Sequence, residues 1–193
     1  YETPFTTGTV FFKEQKVAGF EAHGVQKQSV ESLYYENDAC FVVRLRLKDP
    51  ADTLLLAKGF DTGHPEAVLR LLEGLDMGDA AALGENDYFQ MPSLKLSCRR
   101  DYPEIIGKNL GNQGFENCTI GEMFENIDFE LDQSGARVES QAVISVVRGA
   151  MISPVKKRYF YLNEPFWVLM KRTDSPNPYF LLGVHNTEIM QTL

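Results

Sequence analysis

The residues able to do chemistry in this chain are few and scattered. Three histidines (His23, His64 and His185) lie far apart, and none has the spacing of a metal-ligand set. Each is expected to be structural or on the surface. Glu122, Glu125, Asp128 and Glu130 crowd one stretch. A pair of them could in principle serve as general acid and base, but the solvated face of a strand explains them as well. GxSxG, HExxH, GxxxxGK[ST] and GxGxxG are all missing from the sequence, so no nucleophile elbow, zinc helix or phosphate cradle is expected. Cys40, Cys98 and Cys118 are an odd number without a CxxC pair. Neither a zinc site nor a disulfide framework follows, and buried free thiols are the expectation. Asn117-Cys118-Thr119 is a formal glycosylation acceptor. No metal, no cofactor and no enzymatic activity are expected.

What remains is a stretch whose pattern suggests movement rather than catalysis. Asp128 to Leu131 (DFEL) is strand-like, and Gly135 then breaks the pattern. In the following ARVESQAVISVV, Ala136, Val138, Ser140, Ala142, Ile144 and Val146 are small or apolar, while Arg137, Glu139 and Gln141 alternate with them. That period of two is the mark of a half-buried strand. RGAMISPVKKR comes next and reads as an exposed connection. Such a segment could lie in solvent or as a strand in a sheet.

The remaining composition limits the partners. The 193 residues are 44% hydrophobic and 24% charged, enough for one globular domain spanning 1–193. A net charge of −8 argues against nucleic acid, whose phosphates need cationic neutralisation. The cluster Lys156, Lys157 and Arg158 is too small to reverse that and is expected to be a solvated loop end. No apolar run approaches the roughly 20 residues that span a bilayer, so no membrane insertion is expected. The chain opens on Tyr1 rather than Met and shows no signal peptide, which reads as a processed or trimmed product.

The elements that would hold the segment are mostly strands. Thr6 to Lys13, Val17 to His23, Ser32 to Tyr35, Cys40 to Leu47 and Thr53 to Ala57 are candidates, with an Asp49-Pro50 turn joining the last two as a hairpin. A helix is expected from Pro65 to Leu75, with Val68, Leu71, Leu72 and Leu75 as its apolar face. Tyr88 to Cys98 reads as a strand. A second helix is expected from about Tyr102 to Leu110, capped by Asp101 with Glu104 three residues on. Tyr159 to Leu162, continuing through Phe166 to Lys171, and Tyr179 to His185 form two terminal strands around TDSPNP. The fold class is α+β, mostly β.

NEPFWVLMKRTDSPNPYFLLGVHN, with Asn163, Pro165, Phe166, Gly183, Val184 and Asn186, resembles the carboxy-terminal signature of the serpin family. FQMPSLKLSCRRDYPEIIGKNLG is similar to the family's leucine-proline-lysine strand and the helix after it. Tyr1 to Phe5 (YETPF) resembles a segment near the middle of a serpin. The resemblance covers essentially all of this chain, but only the second half of a serpin. It implies mixed and antiparallel sheets with few short helices.

The resemblance also implies roles. Gly135 would be the hinge and Ala136 to about Lys156 the reactive-centre loop, bait for a serine or cysteine protease. Ala136, Val138, Ser140 and Ala142 would face inward on insertion, followed by Ile144 and Val146. Burying each Val or Ile gains roughly 1.5–3 kcal/mol, and a one-residue slip would expose them all. Counting from the hinge puts the cleaved bond near Gly149-Ala150. Arg148-Gly149 would suit a trypsin-like enzyme, and Val146 or Val147 an elastase-like one. RVESQ is bulkier than the family's usual run after the hinge, and Glu125 stands where a histidine is usual. A non-inhibitory serpin-like binding domain is therefore the alternative. Further implied partners are the amino-terminal half of a serpin fold or a second copy of this chain. The implied location is extracellular.

Overall fold

β-Branched and aromatic residues recurring between short polar turns make this chain a set of strands. A computed structural model describes residues 1, 3–75, 80–115, 117–135 and 157–191. Among them the strands are β1 Thr6–Phe12, β2 Gln15–Ala22, β3 Val30–Asn37, β4 Cys40–Leu45, β5 Asp52–Lys58, β6 Ala81–Ala82, β7 Asp87–Pro92, β8 Leu94–Asp101, β9 Phe124–Leu131, β10 Arg158–Tyr161, β11 Phe166–Arg172 and β12 Pro178–Val184. One α-helix, α1 (Glu66–Gly74), and 3-10 turns at Gly24–Ser29 and Pro103–Ile105 complete the described elements. The class is α+β and mostly β.

Three sheets result. A six-stranded antiparallel sheet runs β12-β11-β5-β4-β3-β6, a four-stranded one runs β1-β2-β7-β10, and β8 and β9 form a ribbon of two. β10 lies parallel to β7, and the other pairs of the four-stranded sheet are antiparallel. Leu54 and Leu56 point into the main core with Phe41, Val43, Phe166 and Val168. Phe12, Phe20, Phe89 and Phe160 of the four-stranded sheet meet them there. Leu55 and Ala57 point the other way, with Val42, Trp167 and Leu169, onto Val68 of α1. TLLLA is continuously apolar because both of its faces are covered.

Several expectations are corrected. The Tyr88 to Cys98 strand breaks at Ser93, whose N–H donates to Ala18 O (3.0 Å), and its halves join different sheets. No second α-helix forms at Tyr102 to Leu110. Asp101 ends β8, and the short 3-10 turn has no side-chain cap. Gly107 (φ +77°) instead turns the chain into a hairpin closed by Gly107 N to Ile120 O (2.8 Å) and Leu110 N to Cys118 O (3.0 Å). The run from Tyr159 to Lys171 is two strands in two sheets, divided before Phe166. Proline lacks the N–H that a continuous strand would need at Pro165. Cys98 and Cys118 are exposed and Cys40 is half-buried, so the thiols are not core residues.

Candidate functional site

β9 ends where the alternating segment begins. Its Leu131 is fully buried, and Phe129 stacks on Phe180 of β12 with ring centres 4.6 Å apart. Asp128 and Glu130 take the opposite parity: Ser97 Oγ donates to Asp128 (2.7 Å), and Lys95 lies 4.0 Å from Glu130. A tight turn follows. Ser134 N–H donates to Asp132 Oδ1 (2.7 Å) and Gly135 N–H to Asp132 O (3.3 Å). Gly135 has φ +115°, a region that side chains strain. A Cβ there would stand 2.6 Å from Tyr1 N, so crowding adds to the conformational demand for glycine.

The turn is tied to an aromatic cluster. Phe5 N–H donates to Gln133 O (2.8 Å), and Tyr1 N donates to Ser134 O (3.3 Å). Tyr1 and Phe5 are buried, with ring centres 4.5 Å apart, and Phe5 stacks on Phe20 at 5.3 Å. Among the described residues β9 pairs with β8 and no other strand. Its far edge carries backbone groups able to accept another strand.

The other end of the segment is closed. Arg158, expected as a solvated loop end, instead clasps Asp87 through Nε (2.8 Å) and Nη2 (2.6 Å). Its guanidinium lies over the rings of Tyr35 (5.4 Å) and Phe160 (5.2 Å). Burial tends to raise the Asp87 carboxyl. Arg158 and the Gly84 N–H outweigh it and hold the group below its ordinary range. The outer edge of β10 is plugged by side chains. Tyr159 N–H donates to Asp38 Oδ1 (3.0 Å). Lys58 Nζ donates to Tyr161 O (2.7 Å), Asn163 Oδ1 (2.6 Å) and Asp38 O (3.1 Å). Burial lowers the Lys58 ammonium from its usual value, yet these three acceptors satisfy its three donors.

Of the expected site residues, Gly135 and Asn117 are described, and Asn117 is exposed. Ala136, Val138, Ser140, Ala142, Val147, Arg148, Gly149 and Ala150 lie outside the described residues. The carboxylates do not pair with one another. Glu122 meets Arg99 (3.2 Å), and Glu125 accepts from Tyr102 (2.7 Å). Folding brings two distant histidines to one turn: His64 Nδ1 lies 2.8 Å from Asp61 and His185 Nδ1 lies 2.8 Å from Thr62. Among the described residues no group of three His, Cys, Asp or Glu could hold a metal, and no helix is long and apolar enough to cross a membrane.

No family model matches the sequence, and no curated protein is significantly similar to it. Solved structures do match. Protease nexin-1, solved with heparin, aligns with a TM-score of 0.64 at 11% identity. It covers 96% of this chain and 54% of its own. A serpin from the trematode Schistosoma haematobium gives 0.64 at 13%, with coverages of 96% and 53%. The fold is a serpin fold. Mouse protein-Z-dependent protease inhibitor adds a third match, at 0.60 and 17%, covering 96% and 52%. The chain spans about half the length of each of these serpin-fold structures.

Asp38, Lys58, Tyr35 and Asp87 are the neighbours of β10 and Arg158 that sequence reasoning missed. One signal was present: Lys58 ends the apolar run of β5, where an unpartnered charge would be costly.

Proposed function

We propose that this chain is a serpin-like protease inhibitor that presents residues 136–156 to a serine or cysteine protease. The observation that carries the reading is the contrast at the two ends of that segment. It leaves β9 through a positive-φ glycine turn beside a strand edge that is unpaired among the described residues, and it returns into β10, whose edge is plugged. The 21 residues could extend to about 70 Å. β9, with eight residues, is about 26 Å long. The segment is therefore long enough to lie along the whole of β9. Serpin loop insertion is itself a standard example of strand addition.

The amino-terminal half of the fold, or a second copy of the chain, is the partner that would complete the sheet at β9. The groove of 590 Å³ beneath the ribbon, lined by Leu96, Ile127, Phe129, Met170, Phe180 and Leu182, is the surface it would cover. An extracellular location and the absence of catalysis belong to the same proposal. The second reading, a non-inhibitory binding domain, is favoured by the bulk of Arg137, Glu139 and Gln141 just past the hinge.

The test is incubation of the protein with a trypsin-like and an elastase-like serine protease, followed by denaturing electrophoresis. Inhibition predicts a covalent band at the summed mass, with cleavage mapped between Val146 and Ala150. Cleavage in that window without such a band would support the binding domain and end the inhibitor reading.

A further inference from the structure

Phe115 is a large apolar side chain left 52% exposed on a hairpin tip. It stands two residues before Asn117 in Phe-Glu-Asn-Cys-Thr, and Asn117-Cys118-Thr119 is the single Asn-x-Ser/Thr triplet of the sequence. The hairpin is held by the Leu110 N to Cys118 O and Ile120 N to Lys108 O bonds (3.0 Å each) and by a bridge between Asn109 and Thr119. Cys118 N–H donates back to Phe115 O (2.9 Å), so Asn117 lies inside a hydrogen-bonded four-residue turn. Asn117, Cys118 and Thr119 are all exposed. The turn keeps the aromatic ring and the acceptor amide on one short, solvent-facing tip.

A pyranose ring has an apolar C–H face that packs against an aromatic ring while its hydroxyls stay in water, the same amphipathic division that suits aromatics to wet interfaces. We propose that Asn117 carries an N-linked glycan whose first N-acetylglucosamine packs on Phe115. In the transfer, the Asn117 amide nitrogen attacks C1 of the N-acetylglucosamine of a lipid-linked oligosaccharide diphosphate. The N–C1 bond forms and the C1–O bond breaks. Its electron pair leaves with the lipid diphosphate, and the amide gives up one proton to a base. Nothing is oxidised or reduced. This modification rests on the extracellular location proposed above but not on protease binding, since the hairpin lies outside both ends of segment 136–156.

The test is secretion of the chain from cultured eukaryotic cells behind a cleavable signal, with a carboxy-terminal tag carrying a second acceptor triplet as internal control. Intact mass should show a glycan on Asn117 that peptide-N-glycosidase removes and that Asn117→Gln or Thr119→Ala abolishes. The glycosylated chain should melt on the order of 2–4 °C above Asn117→Gln, a shift expected for about 1 kcal/mol in a domain of this size. In a Phe115→Ala background that difference should vanish. A glycosylated tag beside an unmodified Asn117 would overturn the site. An undiminished melting difference in Phe115→Ala would overturn the packing.

Discussion

β5 and β9 are antiparallel strands of seven and eight residues, but they end up in opposite surroundings. β5 lies between β4 and β11, and every residue after its first is buried. Among the described residues β9 has one neighbouring strand, and Leu131 alone among its residues is buried. The apolar parity of Ile127, Phe129 and Leu131 is as regular as that of Leu54 and Leu56. Its Leu131 joins Leu54 and Leu56 in the main core, whereas Ile127 and Phe129 line an open groove beside Phe180. Pattern prepares a strand for a core; coverage by another layer supplies the stability. The six-stranded sheet is thus the covered part of the molecule, and the β8–β9 ribbon is the exposed part.

Matched substitutions sharpen this contrast. Phe166→Ala removes a fully buried ring of β11 and should cost about 3–5 kcal/mol in urea unfolding. Phe124→Ala in β9 removes a ring that is 44% exposed under the Arg99 guanidinium (3.9 Å) and should cost about 0.5–1 kcal/mol. Equal losses would erase the distinction between the regions.

Asp87→Ala strands the Arg158 charge at the closed end of the segment. It should cost roughly 3 kcal/mol, the lower end for a buried pair because Arg158 keeps some water. The carboxyl of Asp87 is held below its ordinary value, so its contribution is complete above about pH 4 and fades as pH falls through the folded-state value. The stability gap between the wild type and Asp87→Asn should therefore narrow on acidification below pH about 4. A gap that is constant from neutral pH to strong acid would show that the pair does not titrate with folding.

Gly135→Ala tests the hinge end. The positive φ alone should cost about 1–2 kcal/mol, and the contact with the Tyr1 backbone adds to it. The same change at Gly111, with nothing within 4 Å of a new Cβ, should be within about 0.5 kcal/mol in the same thermal unfolding assay.

The sequence made the covered part legible and lost the boundaries. CFVVRL and TLLLA announced themselves as strands because apolar runs between turn residues have few other readings. Ser93 and Pro165 each interrupt a hydrophobic pattern without ending it, so the sequence alone does not mark a boundary there. Only the sheets show that β7 and β8, like β10 and β11, part company there. Asp101 and Glu104 have capping-box spacing, but the β8–β9 ladder holds Asp101 in a strand opposite Phe124. At the site, Gly135 was legible as a break in alternation. The plug on β10 was not, since Asp38, Lys58 and Asn163 are far apart in sequence and meet through the β3–β4 turn, β5 and the residues after β10. Arg158 looked like part of a basic surface run for the same reason: its partner Asp87 is 71 positions away.

Amide hydrogen exchange before and after a single protease nick within residues 136–156 tests the open edge of β9 most directly. If that edge accepts the released segment, β9 amides that exchange quickly in the intact protein should become protected, while β5 and β11 stay as slow as before. Unchanged exchange along β9 after complete cleavage would contradict the account.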